Sequence, residues 1–250
     1  MSDIIVRCGD GILRLTLNRA VKRNALTAEM YLSMSNALDE GRRDASVKVA
    51  LIDAEGPHFS AGNDIAEFLG GSYSLNPGSP WRRFAESLPA FDKPLIAAVQ
   101  GYAVGIGLTM LLHCDIVLVD HTAKLSAPFA QLGLVPEVGS SGLLPARIGH
   151  LKANEVFLLG RVIDASETER LGLANAVIPE GNVQKAAYEI ATRIAGLPEA
   201  AIAHIKRLGH STYPGITERI EAECKAFMEC VSSDQTKAVL AGLKQARGSR

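Results

Sequence analysis

Net charge is almost absent from this chain. Lys and Arg number 26 against 27 Asp and Glu over 250 residues, a balance of −1. Such a surface has no one-signed field to draw in nucleic acid or an anionic membrane. Cysteine is scarce too: Cys8, Cys114, Cys224 and Cys230 form no CxxC pair. That spacing argues against a disulfide framework, and Cys114 reads as a small buried thiol. The six histidines show neither HExxH spacing nor neighbouring cysteine pairs, so no metal site is expected. No GxGxxG with a matching acid, no GK[ST] and no GxSxG elbow occurs, although Gly139-Ser140-Ser141-Gly142 comes near the last. The first residues, MSDIIVRCGD, lack a leader's apolar stretch, and the final Gly248-Ser249-Arg250 is not a peroxisomal address. A reducing, cytoplasmic compartment is expected. Internal repeats and low-complexity tracts are missing as well.

What is present is a globular composition, 47% apolar and 21% charged. Residues 103–119 are strongly apolar, but His113, Asp115 and two glycines break the run. A buried helix followed by a buried strand is expected there rather than a membrane span, with His113 a satisfied core histidine. Strands are expected at Ile4–Cys8 and Ile12–Asn18 around an Asp10-Gly11 turn, then at Val47–Ala54, Leu95–Val99 and Ile116–Val119. In the second of these, Leu13, Leu15 and Leu17 alternate with Arg14 and Thr16, which predicts one buried and one wet face. Thr27 is placed to cap a helix running to about Arg43. Strand–helix alternation continues to Val177-Ile178, an α/β pattern. Beyond it, helices are expected at 182–195, 198–211, 214–232 and 234–246. The last carries Ala238, Val239, Leu240 and Leu243, apolar surface suited to packing on a partner subunit. Gly70–Pro80, rich in Gly, Ser and Pro, is the candidate mobile loop.

Three segments carry chemistry: Phe59-Ser60-Ala61-Gly62-Asn63-Asp64, Gly101-Tyr102-Ala103-Val104-Gly105-Ile106-Gly107, and Leu134-Val135-Pro136-Glu137-Val138-Gly139-Ser140-Ser141. The first two are glycine-rich strand-to-helix turns. Turns of this kind expose backbone N–H groups where a helix dipole favours negative charge, which suits a phosphate or a developing oxyanion. Taken singly, each is equally well read as glycine allowing a helix to pack against a strand.

Taken in order, these segments resemble the enoyl-CoA hydratase/isomerase (crotonase) superfamily. The likeness starts at Leu17-Asn18-Arg19 and Asn24-Ala25-Leu26, runs through both glycine loops, Cys114-Asp115 and Gly133-Leu134, and ends near residues 160–177. The resemblance implies an α/β spiral of ββα units over 1–195 and a helical oligomerisation section over 196–250. It further implies a homotrimer or hexamer, acyl-CoA thioester substrates and no cofactor, since CoA enters with the substrate. The oxyanion hole falls on the backbone N–H groups of Asn63 and Ile106. Family counterparts of Ala61, Gly62, Asp64 and Ile65 touch substrate or CoA. Lys22 and Arg23 either meet its phosphates or are ordinary surface charge.

Hydratases of the family use two glutamates, whose positions hold Thr109 and Phe129 here. Neither is a general base at neutral pH. Glu137 lies where the family's delta-3, delta-2-enoyl-CoA isomerases carry their catalytic glutamate. The expected reaction is therefore the shift of a 3-enoyl double bond to the 2 position. Hydration, another enolate reaction on the same scaffold, and a catalytically silent assembly subunit are the alternatives.

Overall fold

The computed structural model describes residues 2–69, 74–179, 181–210 and 215–248. Residues 70–73 of the candidate mobile loop lie outside them, as do residues 211 and 214 at the ends of two expected helices. The chain opens with strands β1 (Ile4–Gly9) and β2 (Ile12–Leu17), an antiparallel hairpin. Asp10 and Gly11 both take positive φ, 53° and 78°, as a type I′ turn requires. Helix α1 (Ala28–Arg43) follows, and the Thr27 side chain accepts the Met30 N–H at 3.2 Å. Thr27→Ala should therefore lower stability by about 1 kcal/mol, read as an earlier midpoint in urea unfolding.

Next come β3 (Val49–Ala54), α2 (Ile65–Leu69), α3 (Pro80–Ala90), β4 (Leu95–Val99), β5 (Tyr102–Val104) and α4 (Ile106–Thr109). Then follow β6 (Ile116–Asp120), β7 (Lys124–Ser126), α5 (Ser140–Ile148), α6 (His150–Leu159), β8 (Ile163–Asp164), α7 (Ala165–Arg170) and β9 (Ala176–Ile178). The chain ends in four helices, α8 (Val183–Ala195), α9 (Glu199–His210), α10 (Ile216–Ser232) and α11 (Asp234–Gly248). None of the described helices is long and apolar enough to cross a membrane. The apolar run at 103–119 is shorter in helix than expected. It folds as the end of β5, the single turn α4, a 3-10 turn at Met110–His113, and β6.

The strands form a six-stranded sheet in the order β1-β2-β3-β4-β6-β9 and a three-stranded sheet in the order β5-β7-β8. All neighbours in the larger sheet except β1 and β2 run parallel. One face carries the main core, with Leu13, Leu15 and Leu17 packed among residues of α1 and α3. The other face is not wet. Helix α8 lays Val183, Ala187 and Ala191 across Ile12, Val49, Leu51 and Ile96. Thr16 is buried, and half-buried Arg14 donates to the carboxylate of Asp53 on β3 at 2.7 Å. The alternation in β2 was therefore a poor guide to exposure, because a parallel sheet is covered on both faces.

Of the apolar residues on α11, Ala238 is exposed and Val239 half-buried. Leu240 is buried against the protein's own core side. Large exposed apolar side chains sit instead on α6 (Leu158, Leu159) and α9 (Ile205, Leu208).

Candidate active site

The segment 23–26 forms the floor on which the first glycine loop is built. Asn24, fully buried at φ 53°, donates to the carbonyls of Glu55 and His58 and accepts the Arg19 N–H. Ala61 N–H donates to the Arg23 carbonyl, Leu26 N–H to that of Gly62, and Asp64 N–H to that of Leu26, all within 2.8–2.9 Å. The loop is thus held on one side by main-chain bonds to the segment 23–26 earlier in the chain.

On its other side it meets the second loop. Ser60 N–H donates to the Tyr102 carbonyl and Val104 N–H to that of Ser60. Gly62 has φ 89°, and a Cβ there would lie 2.9 Å from the Val104 carbonyl oxygen. Only glycine permits that approach. Gly62→Ala should therefore push the two loops apart and lower turnover sharply in a protein that still folds, which steady-state kinetics beside a thermal melt would register.

The N–H of Asn63 lies between two ladder bonds and belongs to neither. The N–H of Ile106 is the first of α4, directly after Gly105 at φ 54°. Among the described residues no acceptor bonds either group. A cavity of about 190 Å³ opens beside them, lined by Ala61, Gly62, Asn63 and Ile65 from the first loop and by Val104 and Gly105 from the second. Ile106 itself is fully buried and does not line the cavity, which its neighbour Gly105 does.

Glu137 completes the wall and is 2% exposed. It is the one carboxylate among the described lining residues. Phe129 also lines the cavity, so one expected hydratase position is an aromatic wall, whereas Thr109 is buried away from the lining. Leu132 and Leu134, with Phe227 from α10 and Leu240 from α11, close the apolar end.

Other expected residues lie further out. Asp64 does not line the cavity, and its carboxylate bonds the Arg19 guanidinium at 2.6 Å. Burial alone would raise its pKa, but Arg19 and the N–H groups of Ala66 and Glu67 hold the carboxyl below the usual range. Lys22 and Arg23 are exposed, and the carbonyl bond to Ala61 sets Arg23 directly beside the first loop.

Tyr31 escaped the sequence reading. Its hydroxyl donates to the Asn63 side-chain oxygen from inside α1. Burial, followed by the negative charge of Glu137 and Glu67, pushes that hydroxyl well above the usual tyrosine range. It therefore stays a neutral donor at every physiological pH. No local pattern marks this tyrosine, which sits on the same buried face as Met30 and Met34.

A wider cleft, about 460 Å³, lies under α9 near Asp115 and Lys206. Those two groups pair with each other at 2.6 Å, and neither glycine loop reaches the cleft. The smaller cavity is the one that Asn63, Gly105 and the carboxylate-bearing Glu137 all line.

The architecture is that of crotonase-type acyl-CoA-processing enzymes. A profile of the enoyl-CoA hydratase/isomerase family matches residues 7–247, and the chain belongs to that family. It is similar to 2,3-dehydroadipyl-CoA hydratase of Escherichia coli (strain K12), 35% identical over 78% of this chain and 76% of that protein. It is about as similar to the peroxisomal enoyl-CoA delta isomerase 3 of Mus musculus, 34% identical over 77% of this chain but only 61% of that longer protein. Among solved structures, Pseudomonas aeruginosa OdaA superposes with a TM-score of 0.93 at 40% identity, covering 97% of this chain and 99% of that one. The enoyl-CoA hydratase/isomerase of Pseudoalteromonas atlantica T6c superposes with a TM-score of 0.93 at 32% identity, covering 98% of both chains. The relatives' names are divided between hydration and isomerisation.

Proposed function

We propose that the protein is an enoyl-CoA isomerase that moves a 3-enoyl double bond to the 2 position, with Glu137 as its single acid–base group. The observation that carries this reading is the cavity wall: Glu137 is its one described carboxylate, and Phe129 occupies a position where a hydratase keeps another. Isomerisation needs one base. The Glu137 carboxylate accepts a proton from C2 of the thioester, and the C–H electron pair moves toward the carbonyl to give a dienolate. The oxygen of that dienolate is held by the N–H groups of Asn63 and Ile106, preorganised donors at the point where charge develops. Glu137 then returns the same proton to C4, and the double bond rests between C2 and C3. Hydration would in addition require an activated water, and the described lining holds no second carboxylate to activate it.

The scheme calls for no metal or organic cofactor, because CoA arrives as part of the substrate. Ala61 and Ile65 shape the passage for the thioester, and Lys22 and Arg23 on the rim meet the phosphates of CoA. The exposed leucines and isoleucine of α6 and α9 support assembly into trimers or pairs of trimers. Sedimentation at micromolar concentration should find an oligomer, and a monomer would remove that part of the proposal. The reaction is tested with a panel of 2-enoyl- and 3-enoyl-CoA thioesters and identification of the products. Conversion of 3-enoyl to 2-enoyl thioesters, with slow hydration at most, is expected. Rapid formation of 3-hydroxyacyl-CoA would overturn the assignment.

A further inference from the structure

Glu137 sits on a segment whose backbone is under strain. Val138, the next residue, takes φ 57° although it is β-branched and fully buried, and Gly139 follows at φ 73°. A β-branched residue in the left-handed region is strained and persists only where the surroundings impose it. Two side chains impose it here. From the core side, His113 Nε2 lies 2.8 Å from the Val138 carbonyl oxygen and donates to it. From the opposite side, the carboxylate of Glu223 accepts the Gly139 N–H at 2.6 Å and the Ser141 N–H at 2.9 Å. Consecutive left-handed residues leading into a helix turn their N–H groups to one side and form a cradle for an anion. Glu223 fills this one from α10.

Its placement in that helix is unusual. Ile216, Ile220, Glu223 and Phe227 share the inward face of α10, at spacings of four, three and four residues. Ile216 packs so closely on Gly139 that a Cβ there would meet it at 2.3 Å. A carboxylate buried to 6% exposure in an apolar stripe is expensive unless its bonds are satisfied. Burial raises the pKa of Glu223, against the pull of Ser141, Gly139 and the Arg219 charge. One turn further along the same face, Phe227 forms part of the cavity wall.

We propose that Glu223 is a positioning residue for the reaction: its carboxylate, opposed by His113, locks the Glu137–Ser141 turn and so holds the Glu137 carboxylate against the acyl cavity. The C-terminal helix α10 thereby sets the geometry of proton transfer while its own acid touches no substrate. This inference rests on the role proposed for Glu137. A carboxylate displaced by about an ångström loses up to roughly a hundredfold in rate while binding persists.

The test is steady-state isomerisation of a 3-enoyl-CoA by the full-length wild type, Glu223→Gln, Glu223→Ala and Glu137→Gln, beside thermal melts and the affinity for saturated butyryl-CoA. Gln keeps one acceptor oxygen and turns an amino group toward an N–H, so the fold should survive with one bond of the clamp lost. In Glu223→Gln, kcat should fall by about ten- to a hundredfold, with KM and butyryl-CoA affinity within about twofold. Glu223→Ala should lose at least as much. A folded Glu223→Gln with wild-type kcat, beside an inactive Glu137→Gln, overturns the clamp and leaves the isomerase reading standing. Wild-type activity in Glu137→Gln overturns the reading itself. A fall confined to KM, or kcat loss that merely follows a lowered melting temperature at the assay temperature, contradicts a positioning role. Should Glu223→Gln fail to fold, His113→Gln loosens the opposite side of the turn, and an unchanged kcat there likewise overturns the clamp.

Discussion

Glu137→Gln should lower 3-enoyl-CoA isomerisation by about a hundred- to ten-thousand-fold, the span expected for loss of a general base. Glutamine has the size of glutamate and keeps an acceptor and a donor, but it cannot take up a proton. No other described residue lining the cavity carries a side chain that can take its place as a base, and Phe129, Leu132, Leu134, Phe227 and Leu240 are all apolar. Asp64 ends the first loop but is held by Arg19 and does not line the cavity, so it does not stand in. Acyl-CoA affinity, measured by calorimetry with a saturated thioester, should change little because the carboxylate acts on the proton rather than on CoA. Full activity in this variant would move the acid–base role to another group.

The second large effect separates main chain from side chain at Asn63. Asn63→Pro removes the N–H and should cost about a hundred- to a thousand-fold in kcat, in a protein shown by its melt to be folded. Asn63→Ala retains the N–H and loses only the bond from Tyr31. A net hydrogen bond is worth about 1 kcal/mol, so the loss should be roughly tenfold or less. Tyr31→Phe removes the same bond from the other end and should resemble Asn63→Ala. Equal losses in the proline and alanine variants, both folded, would make the amide side chain the working part.

Local chemistry was legible in the sequence where it needed no distant partner. The Asp10-Gly11 hairpin and the Thr27 cap are decided within four residues, and both appear as expected. The two glycine loops are legible for a related reason: the close approach of Gly62 to Val104 leaves no room for another residue. Exposure of β2 was misread because α8, some 170 residues later, covers its second face. The burial of Leu240 within its own chain was not legible either, since nothing local tells whether an apolar helix face meets its own core or a partner. Glu137 stood out only through the family pattern, because a lone loop acid is ordinarily solvated. Glu223 carries a signal that the helix pattern did contain, an acid at an apolar position between Ile220 and Phe227. Tyr31 carries none, and its hydroxyl acquires meaning only when Asn63 is folded against it.

In the proposed reaction one carboxylate, sheltered from water, both removes and returns the proton. Deuterium followed from C2 of a labelled 3-enoyl-CoA into the 2-enoyl product reports whether it does. Glu137 is 2% exposed, so a proton held there should exchange with water more slowly than in an open site. A substantial fraction of the label is expected at C4 of the product. Complete replacement of the label by solvent hydrogen at C4, from the first turnovers onward, would contradict the single sheltered base.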